Sequence, residues 1–405
     1  MARDDIVVGL EIGTSKICVV VAEDQDDGTI KILGVGQVPS RGIRKGEIVD
    51  FDTAQQCLHD ALVDAEQKSD IEIDNVFVGI TGSHILSFNS RGVVIIPEEK
   101  GEIDEDDIAN AKASAIEVSI PAENSFLHQI LQHYYIDDRE GVLNPVGIFG
   151  SKLEADYHII HGIRNRIHNT LRCVREIPLS VADIVLNGLA SAQVVLDQEQ
   201  KNLGALVLDI GGGTTDYVLY HEGAVRQSGV LAVGGDHITN DISMLLKIPM
   251  ARAERLKIEE GSVILGNSIP GEKVLLKDET GFAGREIERE KLNLIIHMRM
   301  KETFELLLKR LENDPKFEMV GAGVHITGGC SLLKGIDNLS TEVFGMETTL
   351  THAHTMAGLT SAFQNPQYST AIGLVKYAQA VRSEIPEQGL LTKIFNPLRN
   401  IFRRR

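Results

Sequence analysis

The stretch Ala205-Leu206-Val207-Leu208-Asp209-Ile210-Gly211-Gly212-Gly213-Thr214-Thr215-Asp216-Tyr217-Val218-Leu219 decides the architecture. An apolar, β-branched run ends in an acid, passes through glycines and threonines, and opens into a second apolar run. That is the signature of two strands joined by a glycine turn. The same layout stands near the N-terminus as Ile6-Val7-Val8-Gly9-Leu10-Glu11-Ile12-Gly13-Thr14-Ser15-Lys16, followed by Ile17-Cys18-Val19-Val20-Val21. Glu11 and Asp209 lie 198 residues apart, so the repeat is a duplicated, domain-sized unit and not a solenoid repeat. A third glycine element, Ile326-Thr327-Gly328-Gly329-Cys330-Ser331, reads as a strand running into a Gly-rich helix start.

Around these elements the pattern is mixed α/β. Asp52 to Lys68 carries Ala54, Leu58, Ala61, Leu62 and Ala65 at helical spacing, with Asp52 or Thr53 as cap, and Val76 to Thr81 reads as a strand. From about Ser83 to Gly162 the texture changes. An acidic helix start (Asp104-Glu105-Asp106-Asp107) and strand-like runs at Leu127 to Ile136 and Tyr157 to His161 suggest an inserted αβ module. Arg164 to Arg175 is helical, and Val181 to Val195 reads as an apolar, Ala-rich helix. Pro249 to Lys257, Leu292 to Leu311 and Ser369 to Val381 add further helices, and Glu384 to Gly389, with Pro386, reads as a linker.

Composition bounds the function. The 405 residues are about two to three times a typical domain, and 43% apolar content is enough for real cores. The net charge of −18 disfavours nucleic acid as a partner of the body, because phosphates would be repelled. Leu390 to Arg405 departs from this average with five basic residues and no acid; the remainder has 35 basic against 58 acidic residues, a net of −23. No run of eighteen apolar residues exists, and Met1-Ala2-Arg3-Asp4-Asp5 leads straight into a strand, so neither a spanning helix nor a signal peptide is expected. Cys18, Cys57, Cys173 and Cys330 are far apart and form no CxxC pair, which fits buried thiols in a reducing cytoplasm. His352 and His354 lack metal-spaced partners, and no Ser-His-Asp pattern is present.

The glycine elements share one chemistry. Glycine lets the backbone approach phosphate oxygens, exposed N–H groups and Thr or Ser hydroxyls donate to them, and a carboxylate at a strand end holds Mg²⁺ through water. Lys16 is placed to meet a phosphate as a point charge. Gly234-Gly235-Asp236 follows the second hairpin, so Gly235 either approaches a nucleotide or makes a plain turn.

Together the three elements resemble those of the actin-like ATPase superfamily. Glu11-Ile12-Gly13-Thr14-Ser15 is similar to its first phosphate motif, Asp209-Ile210-Gly211-Gly212-Gly213-Thr214-Thr215-Asp216 to its second, and Ile326-Thr327-Gly328-Gly329 to its adenosine motif. Within it the chain resembles the bacterial cell-division family FtsA. The matching pieces are Gly9 to Lys16, Pro39-Ser40-Arg41-Gly42, Asn144-Pro145-Val146-Gly147, Gly188-Leu189-Ala190-Ser191-Ala192 and Tyr368 to Leu374. The resemblance implies an α/β, actin-like (ribonuclease-H-like) duplicated two-domain fold with ATP and Mg²⁺ in the interdomain cleft. It divides the chain into a first domain (1–83, 163–195, 351–383) holding an inserted subdomain (84–162), and a second domain (196–245, 320–350) holding a smaller one (246–319). A linker (384–389) and an amphipathic membrane-targeting helix (390–405) follow.

The resemblance also implies roles. Glu11 and Asp209 hold the metal, Gly13, Thr14, Ser15, Lys16, Gly211, Gly212, Gly213, Thr214 and Thr215 surround the phosphates, and Gly328 and Gly329 meet the adenosine. Arg299 and Glu302 flank adenine and ribose. Most of the superfamily has Asp at Glu11, and Glu or Gln where this chain has Asn187. Asn is too short to position an attacking water well, so weak hydrolysis is expected. The implied partners are further copies of the chain in a filament, the C-terminal tail of FtsZ through about 246–319, other division proteins through 84–162, and the inner face of the cell's inner membrane at the division site. A pilus-assembly ATPase or a small-molecule kinase of the same superfamily are the alternatives; the kinase lacks a candidate base, and neither explains the basic end.

That end is the remaining signal. Leu390, Leu391, Ile394, Phe395, Leu398, Ile401 and Phe402 fall within an arc of about 140° on a helical wheel of roughly 100° per residue, with Lys393, Arg399, Arg403 and Arg404 on or beside the other arc and Arg405 at the terminus. An interfacial helix has this pattern, and each basic residue near anionic lipid contributes about 1 kcal/mol. Asn396-Pro397 kinks it or restarts it as a second segment. Deleting 390–405 is expected to abolish co-sedimentation with anionic liposomes; undiminished sedimentation would overturn this reading.

Overall fold

The computed structural model describes residues 5–25, 28–266, 271–276, 284–353, 357–358 and 363–383; the expected linker and amphipathic helix lie outside them. The first apolar run forms β1 (Ile6–Ile12), turns at Gly13 and returns as β2 (Lys16–Asp24), which sets Glu11 opposite Cys18. β3 (Ile30–Pro39) continues the antiparallel meander. A short hairpin, β4 (Ile43–Arg44) and β5 (Glu47–Ile48), leads into α1 (Phe51–Ser69). The cap of α1 is Asp50, whose carboxylate accepts from the Thr53 N–H at 3.2 Å, and not Asp52 or Thr53. β6 (Asn75–Ile80) then pairs parallel with β1.

The inserted module follows as β7 (Ile85–Ile95), α2 (Glu105–Ile116), β8 (Asn124–Ile136), β9 (Arg139–Val142) and β10 (Lys152–Ile163), in the sheet order β7-β10-β8-β9. Asp104 starts α2 with a reciprocal capping box to Asp107. After α3 (Arg164–Arg175), β11 (Ser180–Leu186) adds parallel to β6 and completes a five-stranded sheet, β11-β6-β1-β2-β3. The expected helix Val181 to Val195 is therefore divided. Its β-branched first part (Val181, Ile184, Val185) is strand, and α4 begins only at Asn187 (Asn187–Val195). A short apolar run looks alike in either state, and pairing with β6 decides it.

α5 (Gln198–Leu203) connects to the second half. β12 (Ala205–Ile210), β13 (Thr215–His221) and β14 (Ala224–Leu231) repeat the meander, followed by α6 (Gly235–Leu246). The smaller subdomain contributes α7 (Met250–Glu260), β15 (Lys273–Leu276), β16 (Arg285–Glu288) and α8 (Arg289–Leu311). β17 (Val324–Thr327), α9 (Ile336–Phe344), β18 (Thr348–Leu350) and α10 (Ser369–Ser383) end the described chain. The second sheet, β14-β13-β12-β17-β18, has the topology of the first: a three-strand meander with two parallel strands beside its first member. The duplication seen in the sequence is thus a duplication of topology. Gly328-Gly329 opens a single 3₁₀ turn (Gly329–Leu332) in place of the expected helix start.

Helices α4 and α10 lie between the halves. One apolar cluster takes in Val20 and Phe77 of the first sheet, Ala190, Ala371 and Leu374 of the helices, and Val207 and Val218 of the second sheet. The helices cross at Gly373, where a Cβ would collide with the Ala190 carbonyl. A second seam joins the inserted module to β14. Ser87 Oγ donates to the Ser228 carbonyl (2.6 Å), Asn89 Nδ2 to that of Arg226 (3.0 Å) and Gln132 Nε2 to that of Val225 (2.6 Å). Gly373→Val is expected to cost roughly 1–3 kcal/mol, read as a lowered denaturation midpoint; an unchanged midpoint would contradict the close crossing.

Candidate functional site

The two glycine turns face one another. Gly13 N–H donates to the Lys16 carbonyl (3.0 Å) and Gly211 N–H to that of Thr214 (2.9 Å), so the turns share one geometry at equivalent places in the two sheets. Between them lies a cleft of about 310 Å³. It is lined by Glu11, Gly13, Thr14, Ser15, Lys16, Asn187, Asp209, Gly211, Gly212, Gly213, Thr214, Gly235, Gly328 and Gly329, all expected at such a site from the sequence.

Three expected residues lie elsewhere. Thr215 is fully buried in β13 and its hydroxyl donates to the Val233 carbonyl (2.8 Å). Arg299 on α8 is committed to Asp241 (2.6 Å) and Glu302 (2.5 Å), and neither it nor Glu302 lines the cleft. The face of α8 that carries them ties α8 to α6, an ordinary ion-pair role that charge pattern alone does not distinguish from a ligand contact.

Buried carboxylates define the chemistry. The Lys16 ammonium sits 2.6 Å from Glu11; burial works against both charges, and Glu11 keeps the Lys16 pKa above its usual value. The pair fixes Lys16 in place of the mobile contact expected. Asp209 accepts from Ser191 Oγ of α4 and from Thr370 Oγ1 of α10 (2.7 Å). Burial raises its pKa and these two bonds oppose the rise. Asp216 stands opposite Asp209 in the β12–β13 register and accepts from Thr81 Oγ1 (2.8 Å) and Thr214 Oγ1 (3.3 Å). Burial, then the neighbouring Asp209 charge, pushes the Asp216 carboxyl well above the ordinary range.

The residues present fit a magnesium–nucleotide ligand. Asp216 Oδ1 and Asn187 Oδ1 are both buried and without a hydrogen-bond partner among the described residues. Buried acceptors of this kind call for donors or a cation. Among the described residues no three His, Cys, Asp or Glu side chains close directly on one metal position, so the carboxylates would reach a hydrated ion through its waters. A Cβ on Gly329 would meet nothing within 4 Å, which leaves the wall open at that point, and the N-terminus of α6 brings Gly235 and Asp236 to the cleft.

Sequence reasoning missed several lining residues. Asp216 was in plain view; only the strand register reveals that it shares a face with Asp209. Thr81 follows a strand with no motif of its own, and Thr370 lies within the Tyr368 to Leu374 piece without a role assigned to it there. Glu254 and Lys257 of α7 also line the cleft. Lys257 is buried and donates to Glu254 (2.7 Å), Thr239 Oγ1 (3.0 Å) and the Gly235 carbonyl (3.1 Å). The available signal was a lysine directly after Leu256, on the face that also holds Ala253, with an acid three residues earlier.

Two matching half-domains around such a cleft, with an inserted module in the first, define an actin-like protein. The solved PilM–PilN type IV pilus biogenesis complex has a chain similar in fold, at TM-score 0.64 and 16% identity, covering 94% of this chain and 99% of its own. MreB5 of Spiroplasma citri bound to ADP is similar at TM-score 0.57 and 15% identity, covering 95% and 99%. The family is set by sequence. A family model described as "Cell division protein FtsA" matches residues 206–373, and one described as "SHS2 domain inserted in FTSA" matches residues 82–161. Cell division protein FtsA of Pseudomonas aeruginosa is 38% identical over 379 residues, covering 94% of this chain and 90% of that protein. That of Escherichia coli K12 is 34% identical over 383 residues, covering 92% and 90%. The chain belongs to the FtsA family of cell-division proteins.

The raised Asp216 pKa has a sign. The folded state holds this proton more tightly than the unfolded chain, so stability is fully present below the unfolded value and is lost as pH rises through the folded one. Asp216→Asn removes that penalty. In nucleotide-free protein the variant's melting temperature should exceed the wild type's by a margin that grows from about pH 5 to about pH 8; a margin that shrinks would refute the assignment.

Proposed function

We propose that the protein binds ATP with Mg²⁺ in the cleft, assembles into filaments on the cytoplasmic face of the inner membrane at the division site, and tethers FtsZ there. The observation that carries the nucleotide reading is the pair of facing glycine turns with Glu11, Asp209 and Asp216 buried between them, two of whose neighbouring acceptor oxygens have no partner. When bound, the metal would supply charge neutralisation at the phosphates. The chain's own groups frame the ligand: the glycine turns with Thr14 and Thr214 line its place, and Lys16 stays charged beside Glu11.

Hydrolysis is proposed to be slow. Asn187 starts α4, lines the cleft and has an unbonded Oδ1, so it holds a water by accepting a hydrogen bond, yet it is no base and its reach is short. ATP then acts mainly as an assembly ligand. For the FtsZ tail, the proposed surface is the smaller subdomain, where Met250, Leu294 and Met298 are exposed. The inserted module, with Leu143 and Phe149 largely exposed, is proposed to meet later division proteins. Among the described residues no helix is long and apolar enough to cross a membrane, so attachment is assigned to 390–405, and many weak tips in one filament would gain avidity.

Electron microscopy on an anionic lipid monolayer tests the reading. Filaments are expected with ATP and Mg²⁺ and are expected to vanish when 390–405 is deleted. Turnover of several ATP per second by the purified protein would sink the assembly-ligand role.

A further inference from the structure

The β4–β5 hairpin belongs to none of the motifs used so far. Its turn, Arg44-Lys45-Gly46-Glu47, has φ of 52° at Lys45 and 75° at Gly46, the left-handed pair of a type I′ turn. Glycine accepts this freely; Lys45 does so at a cost that surrounding contacts must offset. Those contacts lie on the phosphate turns. Gly46 N–H donates to Thr14 Oγ1 (3.0 Å) in the first domain. A Cβ on Gly213 would lie 2.9 Å from the Lys45 backbone, so the tip rests directly on the turn of the second domain. The hairpin is therefore a first-domain element that bridges the phosphate end of the cleft.

Its base is anchored. Glu47 accepts from Arg166 Nη1 (2.5 Å) on α3, and His84 Nδ1 stands 3.5 Å away. The tip is different. Arg44 and Lys45 are exposed, and among the described residues neither is in a salt bridge. Across the cleft stands the start of α6. Burial raises the Asp236 carboxyl and the Arg44 charge is among those opposing this; burial and then the Lys45 charge lower His237.

Charge balance gives the tip a purpose. Around the phosphate turns the lining holds the carboxylates of Glu11, Asp209, Asp216 and Asp236, and its Lys16 is already committed to Glu11. A terminal phosphate adds negative charge beyond what one Mg²⁺ would offset at an end that already holds four acids. Among the described residues Arg44 and Lys45 are exposed cations without a salt bridge, and their hairpin stands against Thr14 and Gly213 beside the cleft lining.

Resting on the reading of the cleft as a nucleotide site, we propose that the β4–β5 hairpin is a clamp specific for the terminal phosphate of a nucleoside triphosphate, with Arg44 and Lys45 as its cationic contacts. The hairpin stands against Thr14 and Gly213 of the two phosphate turns, so the clamp would favour triphosphate over diphosphate.

The test is calorimetric titration of the full-length chain with ATP and with ADP at fixed Mg²⁺ and salt, for wild type, Arg44→Ala and Lys45→Asn. Asparagine tolerates the left-handed conformation, so the turn is kept. Each variant is expected to lose about tenfold in ATP affinity, the scale of one charge-assisted bond, while ADP affinity stays within about twofold. Equal losses for the two nucleotides, or no loss, would overturn the clamp while leaving the nucleotide site standing. A wild type that binds neither nucleotide would overturn the reading of the cleft, and the clamp with it.

Discussion

Two carboxylates buried side by side, Asp209 and Asp216, are the constraint around which the molecule is arranged. Each is a group that burial penalises, and the Asp209 charge raises the Asp216 carboxyl further. The surrounding elements respond to that cost. α4 sends Ser191 and α10 sends Thr370 to Asp209; the end of β6 sends Thr81 to Asp216. These donors come from the first domain and the helices between the halves, while the acids come from the second. The bonds that tolerate the acids are therefore also bonds that register one half of the molecule against the other.

The duplication makes this legible by contrast. In the first half the residue equivalent to Asp209 is Glu11, and the position opposite it is Cys18, a fully buried thiol with its pKa pushed up to about 12. There Lys16 answers the single acid. In the second half Thr214 stands where Lys16 would be, and the lysine charge that acts on Asp209 is that of Lys16 itself, from the first half. One ancestral turn has thus become two electrostatically distinct walls, one neutralised internally and one left short of positive charge.

Much of this could be read from the chain. The paired turns gave the duplicated fold, and the change of texture after Ser83 gave the insertion, because glycine, β-branched runs and acids are local signals. What stayed hidden depends on partners distant in sequence. Val181 to Leu186 became strand because β6 was there to pair with it. Arg299 looked like a ligand contact until Asp241 claimed it. Glu254 and Lys257 carry no motif, and their place at the cleft follows from how α7 docks against α6. The 3₁₀ turn after Gly328 likewise reflects packing that no propensity encodes.

The seam between the inserted module and β14 has a mechanical consequence. Its chain connections leave and re-enter the first domain, yet Ser87, Asn89 and Gln132 hold backbone carbonyls of the second. The halves are thus fastened at two separate places, there and at the buried acids, where Thr81 and Thr370 of the first domain donate to Asp216 and Asp209. Two fixed points define a line, and rotation about that line is the one relative motion that strains neither. Three of the seam's bonds grip carbonyls and one meets a side chain, Ser228 Oγ, 2.8 Å from His158 Nε2, so substitutions along β14 at positions other than Ser228 disturb that axis least.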